Sequence, residues 1–256
     1  MNLTDDFILK CLKGSPILLD DICAIFPVSI GEIVDEGYEQ FQKYLGALIM
    51  SKPVPSNKEE QAFLEATKDL SDFQYILLLT NLDKTFNSLL HRAFNFFIHE
   101  PVAFSLEPAQ IVVGDIEEKH ILNEEKFYEF QRIIRKMYFL DNGEEEVILL
   151  STDDARTRAI KLKMKENREK LRRAKNKNAG KSDLKFSDLI GSMTINNCGV
   201  NITDIWNMSY YAFHDQLRRM GWRDQFNINN SAALAGAKMK KEQLKHWMRS
   251  INDDKK

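Results

Sequence analysis

Two histidines eight residues apart, His91 and His99, could share one helix face two turns apart, and imidazoles on a common face are a usual start for a metal site. Neither has a ligand-type residue four positions on, and both sit among phenylalanines. They therefore read as packing or helix-end histidines. His120, His214 and His246 stand singly. Cys11, Cys23 and Cys198 are odd in number and show no CxxC pair and no His/Asn context, so buried inert thiols are expected. The acidic pairs Asp20-Asp21, Glu117-Glu118 and Glu124-Glu125 and the run Glu144-Glu145-Glu146 are adjacent in sequence. Neighbours diverge on a helix or strand, which makes a solvated face or a docking surface for a basic partner, not a catalytic dyad. No Walker loop, GxGxxG, HExxH or GxSxG occurs. The sequence predicts no catalytic residue, no metal ligand and no cofactor, and hence no enzyme.

Charge and aromatic side chains carry more information. The 256 residues sum to a net charge of −2, but Met1 to Thr152 hold 13 Lys/Arg against 26 Asp/Glu, Asp153 to Lys181 hold 12 against 4, and Ser182 to Lys256 hold 11 against 8. An acidic front, a basic middle and a mildly basic tail imply parts with different electrostatic partners, or parts that face each other. The basic middle has three readings: a connector neutralised within the chain, a nucleic-acid contact, or a seat for an acidic protein. In the tail, Trp206 to Trp222 concentrates aromatics, methionines and arginines. Core packing of a small domain explains this, as does a protein-binding face; for the second reading the candidate residues are Trp206, Tyr210, Tyr211, Arg218, Arg219, Trp222 and Trp247.

The elements that must position these residues are mostly helical. Ser29 and Glu32 have capping-box spacing, and Phe41, Tyr44, Leu45 and Leu48 follow at helical intervals. Lys52 to Asn57, with two prolines, is a loop. Ser71 or Asp72 caps a helix through Phe73, Ile76 and Leu77, and a second helix through Phe86, Leu90, Phe94 and Phe97 is apolar nearly all round, as a core helix would be. Val102 to Val113 alternates as a hairpin turning at Glu107-Pro108. Asn123 opens a helix ended by Asn142-Gly143, and Val147 to Leu150 is a potential strand. A polar helix runs from Asp153 or Asp154 to about Lys175 and gives way to linker composition at Asn176 to Ser182. Beyond it, Thr203 or Asp204 opens a helical tail with stripes Tyr210, Phe213, Leu217, Met220 and Leu244, Trp247, Met248, Ile251. The predicted architecture is mainly α, with a helical N-terminal domain over 1–152 carrying a minor β-hairpin, a basic helical connector over 153–182 and a small helical C-terminal domain over 183–256. An apolar share of 43% supports a real core, no segment approaches the length of a membrane span, and cysteine usage fits a reducing cytoplasm.

The tail resembles a known family. Trp206-Asn207-Met208-Ser209-Tyr210 through Asp224-Gln225-Phe226-Asn227, Ala232 to Ala237 and Leu244-Lys245-His246-Trp247-Met248 are similar to the C-terminal regions of tail-gene proteins of phages and prophages of Gram-positive bacteria. Ser29-Ile30-Gly31-Glu32-Ile33, Gly37-Tyr38 and Phe41 to Leu45 resemble their beginnings. These proteins are regarded as tail assembly chaperones of long-tailed phages. The resemblance implies a front domain that binds the tape-measure protein and a tail that recruits tail-tube subunits, working in the host cytoplasm without a membrane or nucleic acid, with self-association left open. A structural component of the virion tail and a nucleic-acid-binding regulator are the competing readings.

Overall fold

The computed structural model describes residues 4–55, 58–115, 119–140, 147–178, 184–196 and 201–248. Helix makes up 63% of the described residues, against two small antiparallel sheets, so the mainly α class with a minor β part holds. The contacts sort into two compact units. A middle unit comprises Pro16–Phe26 and Glu36–Asp183; a terminal unit comprises Met1–Ser15, Pro27–Asp35 and Leu184–Lys256. A division at 152 and 182 does not anticipate this grouping, because the chain's first helix and residues 27–35 pack with its last helices.

The middle unit is built on aromatic helix packing. Helix α3 (Tyr38–Leu48) packs on α6 (Lys84–Ile98), and α6 packs on α5 (Asp72–Leu82), which follows α4 (Lys58–Ala66) in the chain. Phe41, Phe73, Phe94, Phe97, Phe127, Phe130 and Tyr138 are fully buried, with Phe94 and Phe130 stacked at 5.2 Å. The expected capping of α5 occurs: Ser71 Oγ accepts from Gln74 N–H and the Gln74 side chain accepts from Ser71 N–H. The hairpin is strands β3 (Val102–Leu106) and β4 (Ala109–Val113), joined by a third strand β5 (His120–Leu122). A second hairpin pairs β1 (Ile17–Leu19) with β2 (Cys23–Ile25); three-residue strands are too short to show a period. Val147 to Leu150 forms no strand. Its backbone instead serves α5, with Leu149 N–H donating to Asp72 Oδ2 and Leu149 C=O accepting from Asp72 N–H. Helix α7 (Glu124–Met137) is capped by Asn123 as expected, while the proposed stop at Asn142-Gly143 lies outside the described residues. Helix α8 (Ala155–Asn178) is the predicted basic helix; it continues through 176–178, which were expected to be linker, and the rest of that expected linker, 179–182, lies outside the described residues.

In the terminal unit, helix α1 (Asp5–Lys13) is capped by Thr4 and ended by Gly14 at φ 76°, a left-handed position suited to glycine. Ser29 and Glu32 form the expected reciprocal cap at the start of α2 (Ile30–Glu36). Helices α9 (Phe186–Asn196), α10 (Ile202–Trp206) and α11 (Tyr210–Leu234) follow. Asn201, not Thr203 or Asp204, occupies the N-cap of α10, and its N–H donates to Asp204 Oδ2 at 3.0 Å. The second tail stripe is not an α-helix in the described residues: only a short 3-10 turn at Lys241–Leu244 forms before Met248. The chain has turned at Gly236, φ 94°, and Asn229 holds the turn by donating to Gln243 C=O at 2.7 Å.

Candidate partner-binding surfaces

The terminal unit is knitted at the start of α11. Ser209 Oγ accepts from Ala212 N–H at 3.1 Å, capping the helix, and donates to Cys11 C=O at 2.6 Å. Ile30 N–H donates to Met208 C=O and Tyr210 N–H to Val28 C=O, making a short bridge on either side of Ser29 and Ser209. Gly31 is required where these segments cross, since a Cβ there would lie 2.9 Å from the Trp206 carbonyl oxygen.

This arrangement divides the seven candidate residues. Tyr210 and Tyr211 are buried with Phe7, Cys11, Val28, Ile205 and Phe213, so they serve the core. Trp206 is half-buried, with its backbone over Gly31. Arg218, Arg219 and Trp222 are half-buried further along α11, and Arg219 pairs with buried Asp215 at 2.8 Å. Trp247 stacks on His246, whose ring meets Phe226 at 5.1 Å. The set is therefore split between the packed first turns of α11 and its distal half, where Ile228 and Leu234 are exposed, the latter by 84%. His214 lies between the two, against Tyr210 at 4.2 Å; burial, helped by the Arg218 charge, pushes its pKa down to about 4.

In the middle unit the charged groups are organised around Asp72. The carboxylate is almost fully buried and accepts from Lys52 N–H and Leu149 N–H, both at 2.9 Å, and from Lys165 Nζ at 2.7 Å. Lys52 Nζ donates to the Thr67 and Leu70 carbonyls, and burial lowers its pKa to about 8. Helix α8 is held down by three cations: Lys165 on Asp72, Lys161 on Asp153 at 2.7 Å, and Arg158 on the Asp69 and Leu150 carbonyls. Sequence reasoning identified the basic helix but not Asp72 as its anchor; a single acid at a helix N-terminus gives no signal beyond capping.

An open cleft of about 880 Å³ also lies in this unit, lined by Asp20, Asp21, Glu100, Asp115, His99 and His120 among others. Its charge favours a cationic guest over an anion. Asp20 pairs with Lys126, and His99 stacks on Phe26 at 4.5 Å. His91 packs on Phe104. Burial pushes the Cys11 and Cys23 thiols up to about 12, and Cys198 lies outside the described residues, as do Glu117-Glu118 and Glu144 to Glu146. Among the described residues no group of three His, Cys, Asp or Glu could hold a metal ion, and no helix is long and apolar enough to cross a membrane.

Residues 175–252 match the family described as YomV second domain. That family is phage-derived, and the likeness is confined to this C-terminal stretch. No curated protein and no solved structure matches the chain. The match takes in α9, α10, α11 and the Lys241–Leu244 turn, but not α1 or residues 27–35, which complete the same packed unit.

Proposed function

We propose that this chain is a non-enzymatic phage tail assembly chaperone, binding the tape-measure protein through its middle unit and recruiting tail-tube subunits through its terminal unit in the host cytoplasm. The phage-related match over 175–252 carries the reading, since the stretch matched coincides with the region that resembles tail-gene proteins. The physics is consistent with it. A tape measure is a long helical chain with apolar faces that aggregates before its tube is built, and a reversible holdase covers such faces without an energy source. The distal half of α11 and the turn at Trp247 offer the tube subunit an aromatic and apolar surface.

Quantitative mass spectrometry of purified virions tests the proposal against its nearest rival. A chaperone leaves when the tube is complete, so peptides of this chain should be absent or far below tail-protein stoichiometry. Stoichiometric peptide in mature particles would make it a structural tail component.

A further inference from the structure

The inward face of α8 is occupied by Arg158, Lys161 and Lys165, but a second, outward pattern remains. Arg156, Lys163 and Lys170 are exposed at seven-residue intervals, and beside them Ile160, Met164 and Leu171 are exposed by 54%, 43% and 63%. At 3.6 residues per turn these six side chains fall within about 120° of the helix circumference, along roughly 22 Å of its length. An apolar line with a rail of cations on one side is thus left uncovered.

Solvation alone accounts for the cations but not for three aligned large apolar side chains, because ion pairs already hold the helix in place. The seven-residue spacing favours a helical occupant: side chains repeating at that interval stay in line with a second helix crossing at a shallow angle, and with no other element. The cations specify its charge. A nucleic-acid backbone would satisfy Arg156, Lys163 and Lys170 but leave Ile160, Met164 and Leu171 in water. We infer that the outward face of α8 is a docking strip for an acidic amphipathic helix of a partner protein.

The test uses the purified full chain and a synthetic helix, so its result is independent of the tail-assembly reading. A fluorescent peptide of about three heptads, with leucines on one face flanked by glutamates every seven residues, is titrated by anisotropy. A scrambled peptide of the same composition and a DNA duplex of about 20 base pairs serve as comparisons. The aligned peptide should bind at least about tenfold more tightly than the scrambled one, and K163E with K170E should weaken it by at least about tenfold. Met164→Ser with Leu171→Ser should do the same. All four side chains are exposed, so circular dichroism and melting should not change. Equal binding of the scrambled peptide, no effect of the variants, or preference for the duplex would overturn the inference.

Discussion

His214 is the residue at which the terminal unit meets solution pH. Its native pKa of about 4 lies below the usual 6.5, so the unfolded chain takes up a proton first as pH falls. The stability this neutral imidazole confers is complete above pH 6.5 and is lost progressively down to about pH 4, by about 2 to 3 kcal/mol. Urea titrations at a series of pH values should show this loss, and His214→Phe should flatten it relative to the unsubstituted chain. In the middle unit the buried anchor is Asp72. Replacing it by Ala leaves the Lys165 ammonium and the Lys52 and Leu149 backbone N–H groups without their acceptor and should cost about 3 to 5 kcal/mol in urea unfolding, because breaking a buried pair leaves an unpaired charge. Caps at this scale were legible in the sequence: Ser29, Ser71 and Asn123 all do what their spacing predicts. The roles of Asp72 and His214 were not, because each depends on partners as distant in sequence as Lys165 or on burial that no local pattern encodes.

Two glycines separate helix propensity from helix packing. In α3, a Cβ on Gly46 would meet nothing within 4 Å, so Gly46→Ala should stabilise by about 0.5 to 1 kcal/mol. At Gly31 the same substitution places a methyl 2.9 Å from a backbone oxygen and should cost about 1 to 3 kcal/mol as α2 and α10 are forced apart. Thermal melting of the two variants gives opposite signs. Long periodic elements were the readable ones: α5, α6, α7 and α8 follow from apolar spacing and caps. The β1–β2 hairpin was not, since strands of three residues offer one alternation at most. The stripe Leu244, Trp247, Met248 and Ile251 misled as far as it is described: the 3-10 turn ends at Leu244, residues 245–248 are not helical, and Ile251 lies outside the described residues.

At the scale of the whole molecule, the chain's two ends build one unit. Phe7, Cys11, Val28 and Ile30 are buried with Tyr210, Tyr211 and Phe213, although nearly 200 residues separate them. A front fragment cut near residue 180 would therefore carry an uncovered apolar face instead of standing alone. All three tryptophans lie in the terminal unit, so their emission reports on it selectively. Deleting residues 1–15 should shift that emission to the red, while far-UV circular dichroism retains the helices of the middle unit. Linker composition at 176–182 marked a change in the chain but could not reveal which earlier segment returns to meet the tail. The functional account rests on whether this chain holds a tape measure, and co-expression with the tape-measure protein of the same phage measures that directly. The account predicts a soluble complex of the two that is lost to aggregate when this chain is omitted; a tape measure that aggregates equally with and without it would contradict the account.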